Sequence, residues 1–148
     1  MIYQLIYHSH FMAVGAGPSS ALRSILRASE ANNLRDGLTG FLIFDKTSFV
    51  QVLEGEQSAV LEAYERISDD PRHAYLTVLD TRWLETRVFE GWAMGGHIAS
   101  DDTRHIYARH TIGGVLDPES LSGPRVVALA LDLQALETKR QLQRVLTA

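Results

Sequence analysis

Two hydrophobic rhythms alternate along this chain. A period of two, the mark of a strand with one face turned inward, runs through Ile2–His8, Leu38–Asp45, Ser48–Glu54 and Tyr75–Arg82. A period near 3.6 fills the stretches between them. Leu22, Ile25, Leu26, Ser29 and Asn33 share one helical stripe, and Val60, Leu61, Tyr64 and Ile67 share another. The punctuation agrees: Gly15–Ser20 is loop chemistry ending in a helix N-cap, and the first helix should stop between Asn33 and Gly37. Asp45-Lys-Thr turns a hairpin that Gly55 closes, and the second helix covers Gln57–Asp69 with Pro71 just beyond it. The order β-α-β-β-α-β predicts an α+β fold: a ferredoxin-like sheet with both helices on one face. Thr86–Gly96, containing Phe89, Trp92 and Met94, predicts a fifth strand. Arg104–His110, Asp117–Ser122 and Pro124–Leu146 read as helices that cover the open sheet face or meet a partner. Residues 1–97 therefore form the main unit, and 98–148 a helical extension of the same compact body.

Composition narrows the function. The 148 residues are 45% apolar and 22% charged, ordinary for a soluble domain. A net charge of −4 lacks the basic footprint that nucleic acid demands. No apolar run approaches the ~20 residues of a membrane span, and the chain begins on a strand rather than a signal peptide. A cytoplasmic protein is expected, with no nucleic-acid or membrane partner. The absence of cysteine removes disulfides, thiolate metal sites, thiol nucleophiles and any cysteine–flavin adduct. The six histidines show no metal-ligand spacing, so no metal is expected.

The chemistry sits on the strand Phe49-Val-Gln-Val-Leu-Glu-Gly55. Alternation puts Phe49, Gln51 and Leu53 on one face, carrying a primary amide toward the core. A buried amide must have its donors and acceptors matched. On the predicted topology Tyr7 is its neighbour across the middle of the sheet. Asn32 and Asn33 end the first helix, and Arg66 and Asp70 end the second. Each has a bland meaning alone: a core tyrosine, an amide satisfied at a bulge, a helix terminus, an exposed i,i+4 ion pair. Together they furnish an interhelical cleft floored by Tyr7, Phe49 and Gln51.

Several motifs in order resemble the BLUF family, sensors of blue light using FAD. They are Leu5-Ile-Tyr-His-Ser9, Ser29-Glu-Ala-Asn-Asn33, Gly37-Leu-Thr-Gly40, Phe49–Gly55, Arg66-Ile-Ser-Asp-Asp70 with Arg72-His73, and Arg87–Met94. Leu38 and Val50 depart conservatively from the residues usual there. The resemblance implies a flavin between the two helices, with Ile25 and Ile67 against its ring and Ser29 and Phe49 also in contact. Asn32 and Asn33 would bond its pyrimidine edge, while Gln51, bonded to Tyr7, would sit beside N5 and O4. Arg66, Asp70, Arg72 and His73 would line the ribityl-phosphate exit. FAD is the implied cofactor, though FMN or riboflavin could occupy the site in a recombinant preparation. The family mechanism implies that excited flavin takes an electron and a proton from Tyr7, and that Gln51 is left rearranged in a red-shifted state. Met94 and Trp92 would relay the change to the C-terminal helices. A blue-light photoreceptor of this kind, not an enzyme, would act through a separate signalling protein and as a homo-oligomer.

Two rivals share the fold. An acylphosphatase-like enzyme needs an arginine in the loop after the first strand, and His10–Ser20 has neither Arg nor Lys. A flavin-free interaction module leaves the polar cleft unexplained.

Overall fold

A computed structural model describes residues 1–12, 18–91 and 93–147. Strands β1 (Ile2–Phe11), β2 (Thr39–Asp45), β3 (Ser48–Gly55), β4 (His73–Leu84) and β5 (Gly95–Ile98) form one sheet in the order β4-β1-β3-β2-β5. The first four are antiparallel to their neighbours, the ferredoxin-like order; β5 joins in parallel beside β2. In the β1–β3 ladder Tyr7 lies opposite Gln51. The β1–β4 register shifts between Ile6 and Tyr7 and again between His8 and His10, so bulges flank Tyr7. Gly40 permits the close approach of β2 to β3, since a Cβ there would meet the Val52 carbonyl oxygen at 2.0 Å.

Helices α1 (Pro18–Asp36) and α2 (Gln57–Ser68) cover one sheet face. Alternation explains the split. Tyr3, Leu5, Tyr7 and Leu53 pack with Val60 and Ala63 of α2, whereas Leu42, Phe44 and Phe49 pack with Ala21 and Ile25 of α1. The two clusters are separate, and partly buried Met94 touches both. The intervening positions, Ile6, Phe41, Ile43, Val50 and Val52, face the other way. They meet α3 (Arg104–His110) and α4 (Gly123–Thr147) through Ile106, Tyr107, Val126, Leu129, Ala130 and Leu133. Burying an aliphatic side chain contributes ~1.5–3 kcal/mol, so the second layer is integral to the sheet's stability.

The structure corrects several expectations. The first helix begins at Pro18, a residue suited to a first helical position, which puts Ser19 and Ser20 inside it; Gly15–Gly17 lie outside the described residues. Leu61 is exposed rather than inward, because Ala63 completes the 60, 63, 64, 67 stripe in its place. The fifth strand is Gly95–Ile98, not Thr86–Gly96. Upstream of it, the Val88 and Phe89 amides donate to the buried Glu54 carboxylate, at 3.1 and 2.8 Å, instead of to a neighbouring strand. Asp117–Ser122 is a turn rather than a helix. The Asp117 carbonyl accepts from both Ser120 and Leu121, and its carboxylate accepts from the Glu119 amide.

Candidate functional site

Tyr7 is fully buried, and Gln51 is 2% exposed. Burial, reinforced by Tyr64 and Asp70, pushes the Tyr7 phenol far above its ordinary value, so the hydroxyl stays protonated and donates to Gln51 Oε1. That bond orients the amide. Its nitrogen end donates to Met94 Sδ at 3.3 Å, a weak acceptor. The Tyr64 ring stands edge-on to Tyr7, with centroids 5.5 Å apart. Buried Asn33 donates from Nδ2 to the Ala93 carbonyl at 2.6 Å, tying α1 to the segment that delivers Met94. Trp92 lies outside the described residues.

Between α1 and α2 runs a cleft lined by Ile25, Ala28, Ser29 and Asn32 on one side, with Arg66, Ile67, Asp70, Arg72 and His73 on the other. Eight sequence-chosen residues thus meet around one space. Phe49 lies beneath it, its ring 4.7 Å from that of His73. The expected Arg66–Asp70 pair does not form. Arg72 binds Asp70 with two parallel bonds, Nε–Oδ1 at 3.0 Å and Nη2–Oδ2 at 2.7 Å, because its fork matches both carboxylate oxygens. Those bonds hold the Asp70 carboxyl below its ordinary range. Exposed Arg66 reaches across to Asp36 at 3.2 Å, and Arg72 to Ser24 at 3.3 Å, so both tether the cleft's two walls.

His73 sits deeper than an exit residue would. Its Nδ1 shares a hydrogen bond with Ser9 Oγ at 3.0 Å, and burial draws its pKa from 6.5 down to about 4. The folded imidazole therefore refuses a proton that the unfolded one accepts. Stability should be unaffected above pH 6.5 and fall as the pH drops toward about 4. Burial shifts His8 and His97 the same way, so His73→Gln should flatten this slope without abolishing it, as urea melts across that range would show.

The donor set suits a flat heteroaromatic ring. Ile25 and Ile67 offer apolar contact, the amide of Asn32 offers edge recognition, and Arg66 and Arg72 offer positive charge. The cleft encloses about 80 Å3.

Comparison with known proteins gives this arrangement its context. The profile of one family, sensors of blue-light using FAD, matches residues 2–95. The chain belongs to the BLUF family. BLUF domains bind flavin and sense blue light, and the matched region is a sensor domain rather than an enzyme. Photoactivated adenylate cyclase subunit beta of Euglena gracilis is 38% identical over 68 residues, 46% of this chain and 8% of that protein. The blue light- and temperature-regulated antirepressor BluF of Escherichia coli K12 is 30% identical over 89 residues, 60% of this chain and 22% of its own. The chain thus spans less than a quarter of either curated relative. BlrB, a BLUF protein solved in its dark state, matches with a TM-score of 0.77 at 33% identity, covering 90% of this chain and 96% of its own. That likeness extends past residue 95. Among the described residues no helix is long and apolar enough to cross a membrane.

Sequence reasoning missed two groups of this BLUF domain. Fully buried Glu54 accepts from Gln4 Nε2 at 2.8 Å as well as from Val88 and Phe89. Nearby Arg87 bonds the Gly37 and Glu54 carbonyls, at 2.7 and 2.9 Å. Together they pin the segment leading to Met94. Glu54's parity with Val50 and Val52 was the available signal. The second group, His97 with Tyr107 and Glu137, joins three distant segments and had none.

Proposed function

We propose that this domain binds its flavin, as FAD, in the cleft between α1 and α2, and that Tyr7, Gln51 and Met94 form the photochemical switch. Bound flavin supplies a blue-light-excitable electron acceptor. Ile25, Ser29, Asn32, Asn33, Phe49 and Ile67 hold the ring, Arg66, Asp70 and Arg72 line the phosphate-bearing end, and His73 lies deeper, beside Ser9 and Phe49. Tyr7 releases an electron and its hydroxyl proton toward the cleft and takes both back. Gln51 is left turned or tautomerised, exchanging its donor and acceptor ends at little steric cost.

One observation carries the reading: the hydrogen-bonded chain from the buried Tyr7 hydroxyl through the buried Gln51 amide to the part-buried Met94 thioether. Because sulfur accepts weakly, the Tyr7 bond does most of the orienting, and an amide held at one end can turn. Met94 and Trp92 then pass the change to the C-terminal helices. Relatives that include an antirepressor and a cyclase subunit support an output delivered beyond the sensor domain. Here that output goes to a separate signalling protein and to a second copy of the chain. Exposed Leu142, Val145 and Leu146 of α4 offer the contact.

The test is optical. Flavin-loaded protein should shift its absorption slightly to the red under blue light and recover in darkness. Tyr7→Phe should bind flavin and show no such shift; an unaltered photocycle in that variant would refute the role of Tyr7.

A further inference from the structure

We propose that His97 and Glu137 form the coupling contact through which β5 hands a change at Met94 to α4. The proposal rests on the reading above and extends it to the opposite face of the sheet. Met94 immediately precedes β5 and His97 is the strand's third residue, and the contacts of the two side chains lie on opposite faces of the sheet. Met94 meets Gln51 on the cleft side, and His97 meets α3 and α4 on the other.

The ring's protonation follows from its partners. His97 is 4% exposed, and its Nδ1 lies 2.8 Å from the Tyr107 hydroxyl. Burial pushes the Tyr107 phenol well up, so that hydroxyl keeps its proton, and burial holds the imidazole neutral. Were Nδ1 the protonated nitrogen, a bare Nε2 lone pair would face a carboxylate. The favourable tautomer has Tyr107 donating to Nδ1 and the hydrogen on Nε2. Among the described buried side-chain atoms, Nε2 alone has no hydrogen-bond partner.

Its acceptor is close by. Glu137 Oε1 lies 3.8 Å from Nε2, just outside hydrogen-bond reach. The carboxylate is braced by Arg140 at 3.0 Å, which also lies 3.6 Å from Asp102. Arg140 donates to the same oxygen, Oε1, that faces His97, which ties that oxygen to α4, and a movement of the strand closes the gap. A displacement of about 0.8 Å suffices. β5 is suited to it: four residues long, at the sheet edge, paired on one side only. His97 is therefore a positioning residue with one bond unmade, and making that bond pulls α4 toward the strand.

Hydrogen exchange over residues 123–147, in the dark and under blue light, tests this on the intact flavin-loaded chain, with the red shift recorded alongside. The wild type should show a light-minus-dark difference in α4. His97→Phe keeps a ring but cannot donate, and Glu137→Ala removes the acceptor at a part-exposed site that should still fold. Both should keep the full red shift and lose the α4 difference. Glu137→Gln, which retains an acceptor oxygen, should restore it. A merely structural histidine would instead raise exchange equally in dark and light. Persistence of the α4 difference in Glu137→Ala, or its absence from the wild type, overturns the proposal. Absence of any red shift in the wild type instead defeats the photochemical reading beneath it.

Discussion

Gln51→Leu should bind flavin and lose the light-induced red shift completely. Leucine suits the position sterically: it is close to glutamine in volume, and Leu53 already occupies the same face of β3. Ile25, Ser29, Asn32 and Ile67 stay in place around the cleft, so the flavin-to-protein ratio should remain near that of the wild type. Only the amide disappears. Tyr7 then has a buried hydroxyl without its acceptor, which costs ~1–3 kcal/mol and leaves the domain folded. Electron transfer could still occur, but no donor and acceptor would remain to be exchanged. Flavin stoichiometry and the light-minus-dark spectrum decide the matter together. A shift of ordinary size would remove Gln51 from the switch.

Glu54→Ala should be the most damaging single substitution for stability. The carboxylate is fully buried and receives the Val88 and Phe89 amides and Gln4 Nε2. Gln4 in turn accepts from Arg82 Nε at 2.6 Å, so the network spans β4, β1 and β3 and the approach to β5. Alanine strands three donors at once, those of Gln4 and Phe89 buried and that of Val88 part-buried. Removing one partner of such a network costs ~3–5 kcal/mol, far beyond a surface change. In a domain of this size that lowers Tm by roughly 10 °C. Glu54→Gln should fall between, keeping one acceptor oxygen but turning an NH2 toward backbone donors. Thermal and urea melts measure both, and a loss below about 1 kcal/mol for alanine would show that the network is not holding the segment.

The contrast between those two residues shows what could be read from the chain. Gln51 stood out because it interrupts an apolar alternation, and the same rhythm foretold its neighbour Tyr7. Glu54 obeys the same alternation on the other face. Its importance depends on Val88 and Phe89, thirty-odd residues away, whose amides could as well have joined a strand. The Thr86–Gly96 error has the same source: local pattern favoured a strand, while a distant carboxylate claimed the backbone donors. Arg66 and Asp70 teach a similar lesson, since helical spacing proposed their pairing and Arg72, beyond the helix, supplied the better fork.

Short-range periodicity and ordered motifs were enough to determine the order of the first six elements, the ferredoxin-like sheet and the family. Side-chain direction along a strand or helix is set by backbone geometry that repeats every few residues. The tertiary structure alone decided where β5 lies, how Glu54 and Arg87 pin its approach, and that His97 waits beside Glu137. Those arrangements depend on which of several competing partners lies nearest once remote segments pack, and no local rhythm encodes that distance.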